Sequence, residues 1–127
     1  MRSHVELGEQ IVAAHGNVGA LGMFSVSQHH EKLNGGGYPR RLGARDIHLF
    51  GRITAVADCF DAMTTNRSYQ RALTAYDALL RMRGEMRDQY DQDLLEQFIR
   101  VLRAPDDLLQ HADLAKFASA AAGLKTA

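Results

Sequence analysis

Apolar residues return at three- and four-residue intervals through most of the chain, and no segment alternates as a half-buried strand would. The first run covers residues 2–15, where Leu7, Ile11 and Ala14 make a stripe with His4 and Gly8 beside it. The turn pair Gly16-Asn17 ends that helix. Val18, Leu21, Gly22, Ser25 and Val26 predict a second helix over 18–30, with His29 and His30 at its end. Residues 32–46 lack periodicity and read as loop, with Asp46 as the cap of the next helix. Residues 47–65 form the most apolar helix. Leu49, Ile53, Val56, Phe60 and Met63 lie on one seam, and Ala55, Asp58, Ala62 and Thr65 on another. Small or apolar residues on most sides put this helix at the centre of a bundle.

Residues 66–73 are a polar turn that includes Arg67 and Arg71. Thr74 then caps a helix, with Asp77 completing a box-like start, and the helix runs to about Met86. Ala75, Ala78, Leu79 and Met82 are its inward positions. Asp91 caps an amphipathic helix built on Leu94, Leu95, Phe98, Ile99 and Leu102. Pro105 stands at the first turn of a last, alanine-rich helix over 105–122, where proline is tolerated. The expected class is all-α, a helical bundle.

Composition changes this picture little. The chain has 127 residues, a length for one domain, and 46% are hydrophobic and 24% charged. Zero formal net charge argues against a general binder of nucleic-acid polymers, which needs a basic excess. The centre is mildly basic, since residues 31–71 hold seven Lys/Arg against four Asp/Glu. That suits a small anionic ligand. The single cysteine, Cys59, allows no internal disulfide. No apolar run is long enough for a membrane helix and no signal peptide is present, so a cytoplasmic location is expected.

The chemistry concentrates in His29-His30-Glu31, followed by Asn34-Gly35-Gly36-Gly37-Tyr38-Pro39. Imidazoles and carboxylates are the common ligands of first-row metals. Glycines let a backbone come close to a ligand. Neighbouring helical residues point about 100° apart, so His29 and His30 fit two adjacent ions, or one ion and a supporting role. Asp58 is expected as a carboxylate inside a core, which is rare unless paired or bound to metal.

These motifs resemble the second half of an HD-GYP domain. The matching runs are His29-His30-Glu31, Gly37-Tyr38-Pro39, Ile53-Thr54-Ala55-Val56-Ala57-Asp58, Asp61-Ala62-Met63-Thr64, Arg67-Ser68-Tyr69 and the ending Tyr90-Asp91 with Leu94, Leu95 and Phe98. The resemblance covers residues 1–103, with 104–127 left as a C-terminal helix and tail. It implies an all-helical member of the HD phosphohydrolase superfamily that hydrolyses cyclic di-GMP in bacterial signalling. It also implies a binuclear or trinuclear site of a divalent transition metal, iron or manganese. By position, His4, His29, His30 and Asp58 correspond to metal ligands. Tyr38, Gly37, Arg67 and Arg71 correspond to substrate-binding positions, and Glu31 to a group orienting a histidine from behind.

Three departures from the family pattern stand out. No His-Asp dipeptide occurs in the chain, and its aspartate normally bridges two metals. Asn34 replaces the usual aspartate, and Gln70 a commonly basic residue. Met1 falls within a family motif, so the chain is read as the C-terminal part of such a domain, truncated at its N-terminus. Uncovered apolar surface is then expected to seek a partner, a homodimer among the options. The alternative function is a catalytically inactive module that binds a ligand or a protein, such as a diguanylate cyclase domain docked on the Gly-Tyr-Pro loop. A different cyclic dinucleotide is a further option for the substrate. Among the remaining residues, Asp61 is assigned a structural role, Cys59 a buried apolar one, and His15, His48 and His111 read as ordinary surface histidines.

Overall fold

The computed structural model describes residues 3–103, and in this range the fold is all-α. Five helices follow in order: α1 (Ser3–His15), α2 (Ala20–Gln28), α3 (Leu49–Thr64), α4 (Ala75–Arg83) and α5 (Gln92–Leu102). The expected helix over 105–122 and the 104–127 segment lie outside the described residues.

Helix α3 is the centre of the arrangement. It packs against α2 on one side and against α4 and α5 on the other, and α1 lies on α2. The main core joins α3, α4 and α5 through Val56, Met63, Ala78, Met82, Leu95 and Ile99, all buried. Phe60 and Phe98 meet edge to face beside it, with centroids 5.1 Å apart. Ile53, expected on the inner seam of α3, and Ala75 of α4 are exposed instead.

Local capping is as the sequence predicts at two helices. Thr74 Oγ1 accepts from the Asp77 N–H at 3.1 Å, and Asp91 accepts from the Asp93 and Leu94 N–H groups. At α3 the expectation of Asp46 fails. His48 is the cap, its Nδ1 accepting from the Phe50 N–H at 3.2 Å. Gln28 of α2 reaches across and accepts from the His48 N–H at 2.7 Å. Gly51 makes this approach feasible, because a Cβ there would stand 2.7 Å from Gln28 Cβ. His48 also stacks on Phe24 with centroids 4.1 Å apart, so it is not an ordinary surface histidine.

Helix α1 departs most from its pattern. The stripe of Leu7 and Ile11 faces outward, at 56% and 52% exposure, while Val5 is buried. Two stripes compete on this helix, Leu7–Ile11–Ala14 and Val5–Gly8–Val12. Gly8 decides between them, because it brings the α1 backbone close to Val26 of α2. Val18, just before α2, and Leu21 on its first turn are exposed as well.

Candidate metal centre

Helix α2 ends at Gln28, with His29 as its C-cap and His30 in the following turn. The divergence expected of two helical neighbours therefore does not hold. The His29 and His30 rings lie 4.1 Å apart by their centroids. His4, on the first turn of α1, comes in from the side, with its centroid 5.0 Å from that of His30. One ligand atom from each of the three histidines lies within 4.8 Å of the others.

The donor atoms suit a cation. His30 Nε2 and His4 Nε2 are 3.0 Å apart. Metal–nitrogen bonds of about 2.0–2.1 Å place two ligands about 2.9–3.4 Å apart for angles between square and tetrahedral. His29 Nδ1 lies 2.9 Å from the Val26 carbonyl and 3.1 Å from that of Ser25, so it carries the proton and donates. That leaves Nε2 as the lone-pair nitrogen, the state a ligand needs.

Asp58 of α3 stands beside the three histidines rather than among their converging ligand atoms, its Oδ2 3.9 Å from His30 Nδ1, the ring nitrogen other than the one that meets His4. The expectation that it is enclosed in a core is wrong, since its side chain is 45% exposed. It stands at the rim of the histidine cluster, where water and ligand can reach it.

Burial first, and His29 second, hold the His30 pKa below its ordinary 6.5, against the opposite pull of Asp58. The ring is therefore neutral near pH 7. The unfolded chain takes up this proton at a higher pH than the folded chain does. The contribution is full above about pH 6.5 and is lost as the pH falls toward the folded value. The melting temperature of the metal-free chain is accordingly expected to drop as the pH is lowered from about 7 to about 5. His30→Asn should flatten part of that slope, which melting curves across this range would measure. An identical slope in the variant would assign the effect to other groups.

The Gly-Tyr-Pro loop folds back over the histidine pair. The Tyr38 N–H donates to the His30 carbonyl at 3.1 Å, and its ring stacks on His30 with centroids 4.8 Å apart. The Tyr38–Pro39 peptide is cis. Gly37 is buried, and a Cβ there would overlap His30 O, Glu31 Cα and Lys32 N. The close approach it permits is to the chain's own backbone at residues 30–32. Gly35, at φ 77°, supplies the left-handed turn before it.

Glu31 differs from its sequence reading. It is not hydrogen-bonded to a histidine. It is 2% exposed, and its two oxygens accept from the Arg40 and Leu42 N–H groups at 2.7 and 2.9 Å. Asn34 accepts from the Gly36 N–H and donates to Asp88 at 3.0 Å. An aspartate at this position would face the Asp88 carboxylate, which accounts for the departure from the family pattern.

The turn that carries Arg67 is more open. Arg67 and Gln70 close a tight turn through paired backbone hydrogen bonds. The Arg67 guanidinium is fully exposed, bonds the Tyr69 hydroxyl and lies within electrostatic reach of Asp58 and Asp61. Arg71 is exposed just beyond this turn, without a described contact to the histidines. Asp61 has the structural role expected, accepting from Thr65 Oγ1 at 3.4 Å. His15 is exposed and bonds Ile11 O, as a surface histidine would; His111 lies outside the described residues.

Sequence reasoning did not single out Lys32 or a half-buried Tyr90–Cys59 pair, and Cys59 is half-buried rather than buried as expected. The Lys32 charge is felt at both His30 and Cys59. Tyr90 and Cys59 hydrogen-bond to each other beside Asp58, and burial raises both pKa values, so the thiol is a protonated, inert group. The signal for Lys32 was its place directly after His29-His30-Glu31. None marked the Tyr90–Cys59 contact, which joins residues far apart in sequence.

A family model described as HD domain matches residues 2–94. A cyclic di-GMP phosphodiesterase of Thermotoga maritima is 31% identical over 109 residues, covering 85% of this chain and 30% of that protein. One of Pseudomonas aeruginosa is 31% identical over 102 residues, covering 80% and 24%. A 3'3'-cGAMP-specific phosphodiesterase of Vibrio cholerae is 44% identical over 75 residues, covering 55% and 14%. The chain thus spans less than a third of the length of each of these relatives.

Proposed function

The chain belongs to the HD-domain family, and from that premise we propose that it serves metal-dependent hydrolysis of a cyclic dinucleotide, cyclic di-GMP being the first candidate. The observation that carries this reading is the convergence of His4, His29 and His30 beside Asp58, with Tyr38 stacked on the same histidine. Relatives with related sequences bear the names of cyclic di-GMP and cGAMP phosphodiesterases.

In this reading His4, His29, His30 and Asp58 hold one or more divalent ions, iron or manganese. Such an ion supplies Lewis-acid polarisation of a phosphoryl oxygen and a nucleophile at neutral pH. The protein's own part is orientation and charge. The carbonyls of Ser25 and Val26 hold the His29 tautomer. Tyr38 offers an aromatic ring to a base, and Arg67 a planar fork to a phosphate. Lys32 adds positive charge on the same side.

A second reading is a binding module without turnover. One observation favours it: Leu7, Ile11, Val18 and Leu21 expose an apolar surface suited to a second copy or another protein. A diguanylate cyclase domain on the Gly-Tyr-Pro loop belongs to the same reading. One experiment separates the two: cyclic di-GMP is incubated with the chain and Mn²⁺ or Fe²⁺, and products and binding are followed together. Metal-dependent appearance of linear dinucleotide or GMP is the expected result. Binding without product, equal with and without metal, would support the module. No binding under either condition would remove both as nucleotide readings.

A further inference from the structure

We infer that Glu31 is a positioning residue of the nucleotide site, whose buried carboxylate holds the Gly-Tyr-Pro loop so that Tyr38 stays stacked on His30. The inference rests on the function proposed above and adds to it the group that sets the loop. Glutamate is almost never fully buried unless its charge is met. Here two backbone N–H groups, those of Arg40 and Leu42, meet it at 2.7 and 2.9 Å. Arg41 between them has φ 54°, so the backbone at 40–42 curls into a concave anion-binding turn around the carboxylate. Hydrogen bonds to an ionised acceptor are about twice as strong as neutral ones.

The anchor has a particular place. Glu31 is the direct neighbour of His30, and Tyr38 lies on the loop between Glu31 and the two amides it binds. Tyr38 is fixed from the other side by its N–H on His30 O. The anchor thus holds the loop, and with it Tyr38, against the turn that carries His30. Arg40 carries the tie further, since its side chain reaches Glu9 of α1 at 2.7 Å, on the helix that bears His4. Glu31 bonds none of the candidate metal ligands. Its effect reaches the site through Tyr38, the ring offered to a nucleotide base.

Glu31→Gln tests this in the full chain. The amide keeps the shape but replaces one acceptor with a donor that faces an N–H. Exchange of the Arg40 and Leu42 amides should then quicken about tenfold or more. Affinity for cyclic di-GMP should fall about tenfold, while Mn²⁺ affinity stays within about threefold. Ile99→Val, a core variant remote from the loop, controls for lost stability and should leave both affinities unchanged. Amides still protected in Glu31→Gln would overturn the inference. So would faster exchange with nucleotide affinity equal to that of Ile99→Val, because the anchor would then be structural only. A wild-type chain that takes up Mn²⁺ but no nucleotide would remove the underlying reading and this role with it. That result is distinct from a loss confined to the variant.

Discussion

Replacing His30 with alanine is expected to lower the affinity of the chain for Mn²⁺ by about 100-fold or more. Loss of a group that merely supports a metal ligand already costs about 10–100-fold, and His30 is assigned as a ligand itself. It is also the middle member of the cluster. Its Nε2 is 3.0 Å from that of His4, its ring 4.1 Å from that of His29, and its Nδ1 3.9 Å from Asp58. Burial keeps it neutral, so no proton has to leave before it binds at pH 7. His15→Ala serves as the control, because His15 is exposed and bonds the Ile11 carbonyl of its own helix. Calorimetric titration with Mn²⁺, with helix content checked by circular dichroism, measures the difference. Equal affinity in His30→Ala and wild type would place the ion elsewhere in the protein.

Gly37→Ala is expected to cost about 3 kcal/mol, the upper end of the range for inserting a methyl group into packed surroundings. The upper end applies because the atoms in the way are backbone: His30 O, Glu31 Cα and Lys32 N. A flexible side chain could swing aside, but these atoms can move only if His30 and Glu31 move with them. The melting temperature should fall by roughly 10–15 °C, and the displaced histidine should weaken Mn²⁺ binding in the same variant. Gly43→Ala provides the contrast. A Cβ there meets nothing within 4 Å, and the effect should lie within about 0.5 kcal/mol. Parallel melting curves of the two variants decide the matter. Equal stability would mean that the loop is not packed against residues 30–32.

The parts of the fold that were legible in the sequence share one property. Thr74 and Asp91 cap their helices through N–H groups two or three residues away, so the chemistry is local. The apolar faces of α4 and α5 were legible at Ala78, Met82, Leu94, Leu95 and Ile99 for the same reason, since each helix has one dominant stripe. Asp46 misled because the true start of α3 is set by Gln28, twenty residues before His48. Glu31 misled because burial of a carboxylate depends on a loop that returns nine and eleven residues later. A charged residue gives no sign in its own neighbourhood that such a return will occur.

The sequence by itself determined the all-α class of the described residues, where most of their helices run, and which imidazoles and carboxylates are candidates for a metal. Periodicity and capping act within one turn, and residue type alone sets ligand chemistry. Only the tertiary structure decided which stripe of α1 is buried, because the close contact of Gly8 with Val26 belongs to two helices. It also decided that His29 and His30 converge with His4 rather than diverge, because α2 stops at Gln28 and the loop packs back on the turn. Asp58 was moved from an expected core to the rim of the cluster by the way α3 sits against that turn. Each of these outcomes depends on contacts between distant segments, and no local pattern of residues encodes them.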